Sequence, residues 1–334
     1  MHKLKKLSLC IICFMIAFAS SFMFIGCGKD DNKIRINEVT HSIFYAPLYV
    51  AINMGFFEDE GLSVTLESAT GSDASMTALI SGSADVVLIG PEQVVYTEDL
   101  KDRPVIFGQL TQTDGSFFVG REDSQTFNLE MLRGKTIIGG RQGGLPAMTL
   151  EYIIEQAGLV IGTGPNEVNL RTDVAFPMIA SEFITSGNEY CTLFEPNATT
   201  LENAGNGYVL QAVATYSGQL PYTCFTARSS YLRKNADKAE KFLKAVKKGY
   251  QYLVEESYTA SAAALAPSFT GMTIGELEIA VEQYLAINAW SNDMVLSQAS
   301  FDRLLAVLNN ASNQVYSPDY SVLVNNSFAE GLIA

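Results

Sequence analysis

The chain is poor in the residues that build compact chemical centres. Its 334 residues include five cysteines, two histidines and one tryptophan. Cys10 and Cys13 fall in an apolar amino-terminal run and Cys27 in a motif of its own, so only Cys191 and Cys224 remain. Two cysteines do not make a disulfide framework. Each reads as a small buried hydrophobe on a strand, with a single bridge between them as the alternative. His2 precedes that apolar run, which leaves His41 as the one histidine of the body. A histidine-rich metal site is thereby excluded, and a Ser-His-Asp triad would need independent support. No metal and no cofactor are expected. Cationic residues are also scarce, with 22 Lys and Arg against 36 Asp and Glu and a formal charge of −14. Nucleic acid and anionic lipid surfaces need basic patches, so neither is an expected partner. Net charge does not fix the ligand, because a cleft can carry a field opposite to the whole. Beyond Cys27 no apolar run is long enough to cross a bilayer.

The amino terminus is the exception to that last absence. Met1 to Lys6 carries three lysines and no acid, and Leu7 to Gly26 has no charge at all. Such a run could span a membrane. Phe24-Ile25-Gly26-Cys27, however, reads as a lipobox, in which a signal peptidase cuts before a cysteine that receives lipid. Phe24 departs from the usual aliphatic residue, and an uncleaved anchor is the alternative. Residues 1–26 are therefore expected to be a lipoprotein-type signal peptide, Cys27 the lipidation site and 27–32 a polar tether. Either outcome holds the body at the outer face of the cytoplasmic membrane. Loss of the signal removes three lysines and moves the charge from −14 to −17. About 300 residues remain, more than one hydrophobic core usually serves, so two lobes are expected.

Strands and helices alternate along the body. Lys33–Val39, Leu62–Glu67, Ala84–Ile89 and Val105–Gln112 read as strands by alternation or apolar runs. Pro47 opens an intervening helix that Gly55 stops, and Gly71-Ser72-Asp73 supplies a loop and N-cap for a helix closed by Gly82. The pattern restarts after Asp114-Gly115, with strands expected at 116–121, 135–140, 167–171, 190–194, 208–214 and 222–227. From Asn235 onward the chain reads as helical. A βαβα order means largely parallel sheets flanked by helices. One α/β lobe is thus inserted in another: 33–115 and 230–334 form lobe 1, and 116–229 forms lobe 2.

Ligands of open α/β sheets bind beyond the carboxyl ends of the strands, and the candidate residues are those that fall there. His41, Phe44 and Tyr45 join the first strand to its helix and suit stacking on a flat ring. Gly71, Ser72 and Asp73 form the next hand-over, where free N–H groups of a first helical turn remain available. Gly139 to Gly144 follows a strand and precedes a helix, so Arg141, Gly143 and Gly144 are expected to face the cleft. The G-x-G-x-x-G order of a dinucleotide fingerprint is absent, and Gly134-Lys135-Thr136 lacks the preceding glycine of a phosphate loop. Gly90 with Glu92, Ser116, and Glu195 complete the set at strand ends. A buried carboxylate is costly without a partner, so Glu92 and Glu195 are either exposed or matched to N–H donors of an amino-substituted heterocycle or ammonium. Arg141 points the other way, toward sulfonate, carboxylate or phosphate. A site holding both signs suits a zwitterion or a polar heterocycle.

Several segments resemble one family in a shared order: FYAPLYVA (44–51), GFFEDEGLSV (55–64), the G-x-D-x-x-M-x-A-L run (71–79), SGSADV (81–86), GPE (90–92), GKTIIGGRQGG (134–144) and TLFEP (192–196). These resemble the substrate-binding lipoproteins of ABC importers for sulfonates, nitrate, taurine and thiamine-pyrimidine precursors. The resemblance implies a type II periplasmic-binding-protein fold, α/β in class, with two lobes and a hinge around a ligand cleft. Taken with the restart of the pattern after Asp114-Gly115, it implies crossings between the lobes near 112–118 and 218–230. It further implies a monomer that captures a small polar metabolite and presents it to a permease with its ATPase. A thiamine-precursor-like heterocycle is favoured, with an alkylsulfonate, taurine or nitrate as the alternative. Fungal thiamine-pyrimidine synthases resemble the FYAP region too, but they depend on a cysteine-rich motif that Cys191 and Cys224 do not supply. A sensor or adhesin without a permease would share the fold.

Overall fold

The computed structural model describes residues 32–124 and 126–332. The expected signal peptide and Cys27 lie outside the described residues. The described residues from 34 onward form one compact unit. Ten strands are described: β1 Lys33–Glu38, β2 Ser63–Ser68, β3 Val86–Ile89, β4 Pro104–Thr113, β5 Ser116–Gly120, β6 Thr136–Ile138, β7 Asn169–Arg171, β8 Tyr190–Phe194, β9 Tyr208–Ala212 and β10 Gln219–Arg228. They make two five-stranded sheets, ordered β2-β1-β3-β10-β4 and β7-β6-β8-β5-β9. In the first, β1 runs parallel to β3, while β10 runs antiparallel to both β3 and β4. In the second, β6 is parallel to β7 and β8, and β5 is antiparallel to β8 and β9.

The second lobe boundary needs correction. Residues 219–228 were expected in lobe 2, but β10 lies in the first sheet between β3 and β4. Its sequence explains the place: Leu220 to Ala227 is buried without a break, as a strand enclosed on both faces must be. The chain therefore crosses at Asp114-Gly115 and returns near Gly218. The two crossing strands pair with each other as far as Thr113 opposite Gln219. Bending one without the other would break that ladder, so the two connections between the lobes are tied to each other.

Local signals set the remaining elements. Ala46–Asn53 is a helix with Pro47 in its first turn, and Leu145–Gln156 starts with Pro146 in the same way. Helix Ala236–Glu255 has one apolar stripe and packs that face, including Phe242, Leu243 and Val246, into the core. Helix Ile274–Ala286 begins with a full capping box between Thr273 and Glu276. One expected cap fails: helix Ser72–Ser81 starts at Ser72 with Gly71 as a cap that makes no side-chain bond. Asp73 instead turns its carboxylate to Arg141. Cys191 on β8 and Cys224 on β10 are free, buried and in different sheets. Burial pushes both thiols up, as in inert packing residues. Among the described residues no helix is long and apolar enough to cross a membrane.

Candidate functional site

A cavity of about 560 Å³ opens where strand ends of both sheets face each other. The first lobe contributes the turn after β1 (Val39, Thr40, Ser42, Phe44, Tyr45), the turn after β2 (Ala69 to Ser72) and the turn after β3 (Gly90, Glu92, Gln93). The inserted lobe contributes Arg141 and Gly143 to Pro146, Ala175 to Met178, and Phe194. Tyr222 and Thr223 of β10 complete the wall. Its volume falls in the range of small-molecule sites, which are mostly apolar with a few placed polar groups.

Aromatic rings form a continuous surface. Phe44 lies 5.4 Å from Phe194 and 5.8 Å from Tyr222, and Phe194 lies 5.4 Å from Phe176. The Trp290 Nε1–H donates to the Phe44 carbonyl at 2.9 Å and fixes that residue from behind. Gly115 is required on the same side, since a Cβ there would stand 2.3 Å from the Phe44 ring.

Glu92 is the central polar feature. It is 1% exposed, and its Oε2 has no hydrogen-bond partner among the described residues. Burial pushes its carboxyl up to about 7, and hydrogen bonding from its own backbone N–H, Gln93 and Ser72 offsets only part of that rise. Gly90 leaves room for it, because a Cβ at that position would approach Glu92 Oε2 to 2.0 Å. Asp114 is likewise buried and pushed up to about 6, but its Oδ1 accepts from the Ser116 N–H at 2.8 Å and hydroxyl at 2.6 Å. At the rim, Arg141 donates to Asp73 Oδ1 at 2.8 Å, joining the two lobes across the opening. That bond holds the Asp73 carboxyl below its usual range.

Nine of the thirteen expected residues line the cavity: Phe44, Tyr45, Gly71, Ser72, Gly90, Glu92, Arg141, Gly143 and Gly144. Four do not. Asp73 is beside the wall and engaged with Arg141. Ser116 is spent on Asp114. His41 points outward, its Nδ1 3.0 Å from Glu38 Oε1 and its Nε2 2.8 Å from the Ser268 carbonyl. Glu195 is buried but satisfied by the Thr199 N–H at 3.1 Å and hydroxyl at 2.9 Å, so it is tied to the first turn of helix Asn197–Asn203 and does not line the cavity. The Phe176-Pro177-Met178 turn, Phe194 and Tyr222 escaped the sequence reading. Phe194 immediately precedes the chosen Glu195, and alternation alone would have put it on the opposite face. No residue pattern marks Tyr222.

Two α/β lobes joined by paired strands, with a cavity at facing strand ends, make the periplasmic-binding-protein fold. The chain belongs to the NMT1/THI5-like family, whose description matches residues 43–260. A Bacillus subtilis (strain 168) protein, YtlA, whose name marks it as a binding protein, is 37% identical over 92% of this chain and 93% of its own. The alkanesulfonate-binding protein SsuA of Xanthomonas axonopodis pv. citri, solved with MOPS, has the same fold at TM-score 0.67 and 14% identity, over 89% of this chain and 99% of that one. The periplasmic nitrate-binding protein NrtA of Synechocystis PCC 6803 matches at TM-score 0.59 and 16% identity, over 73% and 68% of the two chains. The Bacillus relative and both of these solved neighbours are named as binding proteins.

Proposed function

We propose that the protein is the extracytoplasmic binding lipoprotein of an ABC importer, anchored through Cys27 and specific for a small, flat nitrogen heterocycle. It captures the ligand between its lobes and presents the closed form to a permease. The work is differential affinity for open and closed states, and no bond is broken. One observation carries the ligand class: a buried carboxylate with an unpartnered oxygen, Glu92, set in an aromatic wall. A carboxylate accepts N–H donors, which an amino-substituted ring offers and a sulfonate or nitrate does not. Arg141 is compatible with this reading, because it stands at the rim with Asp73 as an ion-pair partner.

A thermal-shift screen of the purified full-length protein tests the assignment. Bound ligand stabilises by mass action, about 2.7 kcal/mol at a hundredfold excess over Kd. Aminopyrimidines, including thiamine precursors, should raise the melting temperature, whereas taurine, alkylsulfonates and nitrate should not. The reverse order would overturn the heterocycle assignment. Mass spectrometry of the native protein reads the lipid: a diacylated Cys27 at the new amino terminus is expected, and an intact leader would refute the anchor.

A further inference from the structure

Four carboxyl side chains are buried in the described body, Glu38, Glu92, Asp114 and Glu195, and no lysine, arginine or histidine is buried with them. Three have internal donors. Glu38 accepts from the Tyr49 hydroxyl at 2.5 Å and the Ser68 hydroxyl at 2.6 Å, Asp114 from Ser116, and Glu195 from Thr199. Glu92 alone lines the cavity, and it alone keeps a buried carboxylate oxygen without a partner. The other charged residue of the cavity wall, Arg141, lies at the rim and is paired there with Asp73 at 2.8 Å. Low-dielectric walls focus such a field, so the cavity is a place of negative potential in an acidic protein. Its aromatic faces have the same preference, since the π quadrupole attracts a cation lying over the ring.

We infer that the ligand occupies this cavity as a monocation, its positive charge against Glu92 and its flat face on Phe44, Phe194 and Tyr222. The inference rests on the cavity being the capture site and narrows the heterocycle to one that is charged when bound. It also sets this cavity apart from anion sites: a sulfonate or nitrate would meet the uncompensated Glu92 carboxylate inside the wall, with the one guanidinium of the lining held out at the rim.

Proton linkage follows. The groups facing Glu92 from the packed elements are the Tyr45, Tyr96 and Tyr222 hydroxyls and the Cys224 thiol. All four are pushed above their usual ranges by burial and stay neutral near pH 7. Ser72 and Gln93 carry no charge, and Asp114 stands beyond Tyr222 with its own internal donors. Glu92, held at about 7, is then the group at the wall that titrates near neutrality. A cation favours its ionised form. Below pH 7 the free protein carries a proton on Glu92 that must leave for solvent as the complex forms; above it none is released. Affinity for a permanent cation should therefore weaken toward low pH, by up to about tenfold per unit.

Two isosteric probes separate charge from shape: 4-amino-1-methylpyridinium, which is permanently charged, and 4-methylaniline, which is neutral at pH 8. Calorimetric titration of the full-length protein at pH 8 should show the cation binding at least tenfold tighter. That ratio should shrink toward one in Glu92→Gln, and the wild-type affinity for the cation should fall between pH 8 and 6. Equal or tighter binding of 4-methylaniline would overturn the inference, as would a ratio that Glu92→Gln leaves intact. If aminopyrimidines bind without any charge preference, the cation inference fails and the heterocycle assignment survives. If neither probe nor any aminopyrimidine binds while sulfonates do, both fail.

Discussion

His41 shows how a residue chosen for a ligand can serve the scaffold instead. Its two ring nitrogens meet a carboxylate and a carbonyl, both acceptors, so the geometry matches the doubly protonated ring. The hydrogen bond that the ring donates to Glu38 raises its pKa above the usual 6.5, with burial opposing and the Ser268 carbonyl adding to the rise. Glu38 itself is sealed, sharing its other oxygen with Tyr49. A histidine whose folded pKa is raised stabilises most below its unfolded value, and that contribution is lost as pH rises through the folded pKa. Replacing His41 with Ala should thus cost more stability at pH 5.5 than at pH 9. The ring is partly exposed, so the charge-linked difference should stay under about 1 kcal/mol. Thermal melts of both proteins across that range read it directly, and parallel pH profiles would show that no charged contact is made.

The elements around the cavity divide by how much each owes to its own residues. Helices begun by Pro47 and Pro146, strands with unbroken apolar runs and the helical end after Asn235 were all legible, because their signals are local. Turns at strand ends were legible as positions: the hand-overs after β1, β2, β3 and β6 do meet at one cavity. What alternation could not supply was the neighbour. Glu195 and Glu92 occupy equivalent-looking places before and after a proline, yet Thr199 satisfies one while the other keeps an unpartnered oxygen. Nor does the sequence say that residues 289–294 would line the outer edge of β4. There Ala289 and Met294 accept from Gln112 and Gln109, the Ser291 N–H donates to Leu110, and Trp290 reaches Phe44. Those contacts are more than a hundred residues apart in the chain, beyond any local pattern. Trp290→Phe removes the donor to Phe44 and leaves a buried carbonyl short of a partner, at a cost of about 1–3 kcal/mol. Ligand affinity should fall as well, since Phe44 loses its support. A variant with a lower melting temperature and unchanged ligand affinity would show that Phe44 is held by packing alone.

At the scale of the whole molecule, closure depends on what joins the lobes when the hinge strands bend. Among the described residues Arg141 and Asp73 make the one ion pair that spans the two lobes, and they do so at the rim of the cavity. Both side chains are more than half exposed, 53% and 61%, so the pair contributes about 1 kcal/mol at most. That is about a fivefold effect on an equilibrium constant, enough to bias an open–closed balance but not to drive it. Because the pair forms only once the lobes meet, its loss should appear in ligand release rather than capture. Asp73→Asn is expected to raise the dissociation rate two- to fivefold while leaving association nearly unchanged. Raising ionic strength from about 0.05 to 0.5 M should shrink the gap between variant and wild type, as screening removes the pair's advantage. Exchanging the charges in Asp73→Arg with Arg141→Asp should restore slow release, which neither single change can do. Trp290, the only tryptophan and in contact with Phe44 through its N–H, offers an intrinsic fluorescence signal for stopped-flow measurement of both rates. Release rates indifferent to all three variants would mean that apolar contact around the ligand, not the rim pair, holds the lobes shut.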